Sequence, residues 1–227
     1  MTITWLGCAS ICLESAGQKI YFDPFLRLDA AKHIFITHGH YDHMHYAPHI
    51  EGSNVYCTES PSKLVRNPVV ISVGDLLRVE SFEIRVLKGR HARFDLALVI
   101  GAALRIFTQP KKIPFFWRAL SDYPEKGETV MFDVRADGKR VTIMGSMALD
   151  RDTWYEPGAD CLVLPYQGYN DNLAAALPIV ERLKPKMVVI DHFDDAFPPI
   201  TREIEATSFL NAVPFALKPE KGVHMRI

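Results

Sequence analysis

Four cysteines in 227 residues are too few and too scattered to build a framework. Cys8, Cys12, Cys57 and Cys161 lack CxxC spacing and sit in apolar, strand-like contexts. Small buried side chains fit them better than disulfides do. The chain also has no basic block, and its formal net charge is −1, so long nucleic acid finds no electrostatic footprint. No uninterrupted apolar stretch is long enough to span a bilayer. No signal-peptide pattern opens the chain, because Met1 runs directly into the alternating Thr2-Ile3-Thr4-Trp5-Leu6. These absences set the expectation of a cytoplasmic protein without a membrane span. What is present is a globular composition, 48% hydrophobic, and a length that favours one domain over residues 1–227.

The first half reads as short strands separated by turns. Residues 2–6, 10–14 and 19–22 alternate or run apolar, with Gly7 and Ala16-Gly17 between them. Ile34-Phe35-Ile36 is a compact β-prone run. Residues 44–50 have room for one or two helical turns, limited by Pro48. Strand patterns continue at 54–57, 69–73, 76–79, 83–87 and 96–100. Asp137-Gly138 predicts a tight hairpin between 129–135 and 140–144. Then the texture changes. Asn172 is placed to cap a helix over 173–183, and Lys184-Pro185 ends it. Residues 187–190 form an apolar strand, and 201–211 a final helix capped by Thr201, with Glu203 and Glu205 in its first turns.

Strands followed by a helix and a strand occur in both halves. That order fits an α/β (α+β) protein with two sheets packed face to face and helices outside, a four-layer αββα sandwich. Residues 104–129 stand apart, with Pro110, Pro114 and Pro124 among Phe107, Phe115, Phe116, Trp117 and Tyr123. Such aromatic density reads as an insertion, not a linker.

The chemistry concentrates in Thr37-His38-Gly39-His40-Tyr41-Asp42-His43. With His38 and His40 at the end of the preceding strand, period-two geometry turns both imidazoles to one face. A turn at Gly39 then brings Asp42 and His43 back to the same point. Three imidazoles and a carboxylate within six residues are a donor set that zinc prefers. Such a cluster arises by accident in about one chain per thousand, which makes a merely solvated polar loop the weaker reading.

His38-x-His40-x-Asp42-His43 after a hydrophobic strand resembles the signature of the metallo-β-lactamase superfamily. The chain is similar throughout to a small single-domain branch, the ascorbate-phosphate lactonase-like metal-dependent hydrolases. Trp5-Leu6-Gly7-Cys8-Ala9-Ser10 resembles the opening strand and turn of that branch, and Phe22-Asp23-Pro24 its Asp-Pro step. Residues 160–165 and 183–192 resemble its later strand and its helix-strand-histidine ending. The resemblance implies the metallo-β-lactamase fold and two metal positions, the first held by His38, His40 and His91, the second by Asp42, His43 and His192. Without it, His91 is an ordinary loop histidine and His192 one satisfied by Asp191 or Asp194. Asp23 reads equally as an acceptor orienting a ligand imidazole and as the start of a turn. His33, His45, His49 and His224 have no matching place, so surface or supporting roles are their default. Zn2+ is the default ion, one or two per chain, and the same ligands tolerate Mn2+ or Fe2+.

One position departs from the family pattern. A metal-bridging aspartate is expected in a Gly-Asp-Thr-like turn, and Met144-Gly145-Ser146-Met147 puts Ser146 there. Asp42 is then the only carboxylate among six ligands. The second metal binds weakly, or hydroxide or substrate bridges in place of the carboxylate, unless Asp150 reaches in from four residues downstream.

A divalent metal lowers the pKa of bound water to about 7 and polarises the scissile bond, so hydrolysis by attack of hydroxide is the expected reaction. Asp42 is the candidate to orient the attack, with Tyr166 and Ser146 as candidate donors to the developing oxyanion. The leading substrate class is a small-molecule ester or lactone. Phosphodiesterase action on a small or lipid-type phosphodiester is the alternative. A non-catalytic binding protein with a weakened site is the third reading, resting on Ser146. The insertion at 104–129 forms either a lid with an apolar wall or a subunit interface in a homo-oligomer. Lys111, Lys112 and Arg118 within it favour an anionic substrate, or simply face water.

Overall fold

The computed structural model describes residues 1–28, 31–92, 96–123, 128–195 and 202–227, and only the backbone at 96, 97, 99, 116, 120 and 122. Its strands fall into two seven-stranded sheets. The first contains β1 (Thr2–Gly7), β2 (Ser10–Ser15), β3 (Gln18–Phe22), β4 (His33–Phe35), β5 (Asn54–Cys57) and β6 (Pro68–Val70). The second contains β7 (Leu76–Val79), β8 (Phe82–Lys88), β9 (Val130–Ala136), β10 (Lys139–Ile143), β11 (Cys161–Pro165), β12 (Val188–Asp191) and β13 (Ala216–Leu217). The last strand, β14 (His224–Arg226), returns to pair antiparallel with β1. The first sheet is antiparallel from β14 through β1 and β2 to β3 and parallel from β3 to β6, and the second is antiparallel from β7 to β10 and parallel from β10 to β13.

The hairpin turn at Asp137-Gly138 forms as expected, with both residues at positive φ, 53° and 68°, the backbone that a two-residue loop between twisted strands requires. The inner faces of the sheets supply the main core. Phe132 of β9 sits 5.5 Å from both Phe22 and Phe35, ring centre to ring centre, so the two layers interlock through aromatics. Outside lie α1 (Tyr41–Met44), α2 (Glu59–Ser62), α3 (Leu96–Phe107), α4 (Ile113–Asp122), α5 (Asn172–Leu183) and α6 (Thr207–Ala212). Ala176, Ile179, Val180 and Leu183 bury the apolar stripe of α5 on the second sheet. Met44 and Ala47 cover Ile34, Ile36, Val55 and Cys57 on the outer face of the first sheet. This is the αββα sandwich. Among the described residues no helix is long and apolar enough to cross a membrane.

Several local expectations need correction. The expected strand at 96–100 is the first turn of α3, which runs on to Phe107 and so begins before the aromatic insertion at 104. Strand 69–73 is the shorter β6. Asp171, not Asn172, caps α5, its carboxylate accepting from Ala174 N at 2.9 Å, while Asn172 Oδ1 accepts from Tyr169 N. The last helix starts at Thr207, where Glu205 accepts from the Thr207 amide at 2.7 Å. Thr201 and Pro124 lie outside the described residues.

Candidate metal centre

β4 stops at Phe35, so His38 and His40 sit in a bend beyond the strand and not at its end. The bend is anchored by Thr37. Its carbonyl accepts from Val130 N of the other sheet at 2.9 Å, its amide donates to Asp23 Oδ1 at 2.8 Å, and its hydroxyl donates to Asp23 Oδ2 at 2.7 Å. His40 then opens the single turn of α1, its carbonyl accepting from the amides of His43 and Met44. That turn swings Asp42 and His43 back towards His38. A Cβ on Gly145 would lie 2.3 Å from Thr37 Oγ1, so the turn carrying Ser146 nests against this anchor only because residue 145 is glycine.

Four of the five imidazoles turn one nitrogen towards a protein group. His43 Nδ1 donates to Asp23 Oδ2 at 2.9 Å, His91 Nδ1 donates to the carbonyl of Ala92 at 2.7 Å, and His192 Nδ1 faces Asp191 Oδ2 at 3.2 Å. The Thr37 hydroxyl, already donating to Asp23, accepts from His38 Nδ1 at 3.1 Å. For His38, His43 and His91 these hydrogen bonds set the tautomer and leave the other nitrogen as a lone pair.

The remaining nitrogens converge in two groups. His40 Nδ1 lies 3.2 Å from both His38 Nε2 and His91 Nε2. His43 Nε2 lies 3.1 Å from His192 Nε2, and Asp42 Oδ2 is 3.8 Å from the first and 4.0 Å from the second. Facing lone pairs repel unless a cation or a shared proton lies between them. Zinc–nitrogen bonds of 2.0–2.1 Å require tetrahedral edges of about 3.4 Å, so the donor chemistry and spacing fit a bound divalent metal. A further potential donor joins the second group: Cys8, Asp42 and His192 present ligand atoms within 4.8 Å of one another.

The electrostatics agree with this division. Burial, with the neighbouring imidazoles of His43, His40, His91 and His192, holds His38 well below the usual histidine range and therefore neutral. Burial alone pushes the Asp42 carboxyl up, yet His43, His192 and His40 hold it below its ordinary value. Burial opposes the charge on His192, but Asp191, Asp42 and Asp23 raise it to about 9.

All six expected ligand residues, His38, His40, Asp42, His43, His91 and His192, therefore come together, and Asp23 orients His43 directly. Ser146 has another task besides any contact with substrate. Its Oγ accepts from Ala92 N at 2.9 Å and ties down the loop that carries His91. Asp150 does not reach the ligands, being paired with Lys88 at 3.1 Å and Thr153 at 2.8 Å. Tyr166, the other oxyanion candidate, is buried in the main core with its ring 4.9 Å from Phe209, so in this structure it is a packing residue. His33 is likewise buried, beside Glu80 and Tyr56, and His224 pairs with Thr4. Asp191 is the neighbour of His192 that the sequence offered, whereas Thr37, Tyr155 and Cys8 were given no role at the site by sequence patterns. Tyr155 donates to the carbonyl of Lys88 at 2.8 Å and braces the end of β8 before His91.

The insertion meets the site at Tyr41, between His40 and Asp42. Phe115 and Tyr123 approach its ring edge-on at 5.8 and 5.3 Å. Phe107 at the end of α3 and Trp117 of α4 are each 74% exposed, so this segment presents both a covering face and an open apolar one.

Residues 2–192 match the family described as the beta-lactamase superfamily domain. The chain belongs to the metallo-β-lactamase superfamily. Among relatives of this superfamily protein is a "UPF0173 metal-dependent hydrolase" of Archaeoglobus fulgidus, 26% identical over 90% of this chain and 88% of the relative. The solved metallo hydrolase Igni18 of Ignicoccus hospitalis superposes with TM-score 0.69 at 18% identity, covering 100% of this chain and 98% of its own. An isothiocyanate hydrolase from Delia radicum gut bacteria superposes at 0.67 and 17% identity, with coverage of 100% and 99%. At these identities the solved structures speak for the fold. With the family match and the archaeal relative, the coarse class is a metal-dependent hydrolase.

Proposed function

We propose that this superfamily member hydrolyses a small-molecule ester or lactone at a metal centre held by His38, His40 and His91 at one position and by Asp42, His43 and His192 at the other. The observation that carries the reading is the pair of converging lone-pair groups, each braced from behind by Asp23, Asp191, Thr37 or a backbone carbonyl. Zinc is the ion these donors suit best. When bound, it supplies an activated water and polarises the scissile bond.

The chain's own residues divide the remaining work. Asp42, held ionised by its histidine neighbours, accepts a proton or orients the attacking group. Ser146 keeps His91 in place and retains a hydroxyl proton to donate. Tyr41, Phe115 and Tyr123 form an aromatic wall that suits a substrate with an apolar part and limits the approach of water.

Metal-reloaded protein assayed with a panel of lactones and aryl esters beside bis-p-nitrophenyl phosphate tests this function. Turnover of the carbonyl substrates, abolished by chelator, is the expected result. Turnover of the phosphodiester alone would replace the substrate class, and no turnover by fully loaded protein would favour a binding protein.

A further inference from the structure

Between β1 and β2, Cys8 and Ala9 form the turn, and Cys8 takes the left-handed φ of 50°. The turn is fixed from three directions. Trp5 Nε1 donates to the Cys8 carbonyl at 2.8 Å, His192 N donates to the same carbonyl at 3.2 Å, and Cys8 N donates to Asp194 Oδ2 at 3.0 Å. His192 and Cys8 are thus held together by backbone as well as by proximity of their side chains. Cys8 is 3% exposed, and its sulfur shares a 4.8 Å cluster with an Asp42 oxygen and a His192 ring nitrogen.

The other cysteines have different surroundings. Cys12 and Cys57 direct their thiols at the carbonyls of Leu13 and Val55 on their own strands, and Cys161 belongs to the main core. Apolar packing accounts for those three. It does not account for a thiol set between a carboxylate and an imidazole. Charge points the same way. The six expected ligands bring one negative charge, from Asp42, to a centre that would hold two divalent cations, and Ser146 adds none.

We propose that Cys8 is a thiolate ligand of the second metal position, joining Asp42, His43 and His192, and that its charge replaces the carboxylate absent at Ser146. The inference rests on the metal-centre reading above. As the sulfur–metal bond forms, the S–H bond breaks and its proton passes to bulk buffer, since a coordinating thiol is deprotonated outright. A soft sulfur donor also biases this position towards zinc, cobalt or cadmium and against manganese.

Cobalt(II) titration of the metal-free full-length chain tests the assignment, with absorbance read and bound cobalt counted by elemental analysis. Wild type, Cys8→Ser and Cys12→Ser are compared. A near-ultraviolet sulfur-to-cobalt charge-transfer band growing with the second equivalent is expected in wild type and Cys12→Ser. Cys8→Ser should lose the band, keep the visible bands of the first equivalent, and bind the second roughly 100-fold more weakly. If wild type binds both equivalents without the band, Cys8 is not a ligand and the metal-centre reading stands. If folded wild type binds no cobalt, that reading falls and this inference with it. Should Cys8→Ser fail to fold, X-ray absorption of the zinc-loaded wild type decides. A sulfur scatterer near about 2.3 Å supports the ligand, and a shell of nitrogen and oxygen alone overturns it.

Discussion

Asp23 and His43, twenty residues apart in sequence, are joined by a buried hydrogen bond of 2.9 Å from Nδ1 to Oδ2. The same carboxylate holds the amide and hydroxyl of Thr37, so one side chain fixes both the bend bearing His38 and the ring of His43. Asp23→Ala is predicted to weaken metal binding by about 10–100-fold, the usual effect of losing an acceptor behind a ligand histidine. Competition with a chromophoric chelator measures it. An unchanged affinity would mean that His43 needs no such support.

Ser146→Ala removes the acceptor for the Ala92 amide, a buried contact. An orphaned buried donor costs about 1–3 kcal/mol, so the metal-free variant should unfold at lower denaturant with an unchanged slope. Loss of affinity at the His38-His40-His91 position should accompany it. Ser146→Asp can still accept from Ala92 and adds a carboxylate, so it should tighten the second metal. A loss of metal in that variant would contradict the charge argument.

The local chemistry was largely legible in the sequence, because a short motif brings its own geometry. His38, His40, Asp42 and His43 lie within one bend and one helical turn, and their spacing carried the information. His91 and His192 needed the resemblance, since nothing local distinguishes a loop histidine from a ligand. Cys8 was invisible for a related reason: its partners are 34 and 184 residues away (42 − 8 and 192 − 8), and only the packing of the β1–β2 turn on β12 brings them together. The first turn of α3 misled in a different way. Leu96-Ala97-Leu98-Val99-Ile100 is apolar throughout, and a short apolar run has no periodicity that separates a strand from a helix. Asp171 was passed over as a cap because Asn172 beside it has the same capping chemistry.

Gly145→Ala puts a methyl group where Thr37 Oγ1 and Cβ now lie, at 2.3 and 2.4 Å. Thr37 must move, and with it the Asp23 contacts. A destabilisation of about 1–3 kcal/mol is expected from overpacking, together with reduced metal affinity. Thermal unfolding with and without zinc separates the two effects. A variant as stable as wild type would show that the turn at residue 145 shifts freely.

Phe115→Ala removes one edge of the aromatic wall at Tyr41. For an aryl ester the expected change is a several-fold rise in KM with little change in kcat, the signature of lost uniform binding. Trp117→Ala, on the exposed face of the same helix, should leave KM alone. Equal effects from both would argue that α4 acts through its fold and not as a wall.

Whether the two ligand groups hold cations is decided most directly by counting metal in zinc-reconstituted protein by elemental analysis, in wild type, His91→Ala and His192→Ala. Two positions predict about two zinc ions per chain in wild type and about one in each variant. Folded wild type that retains no zinc, or variants that retain as much as wild type, would contradict the paired metal centre.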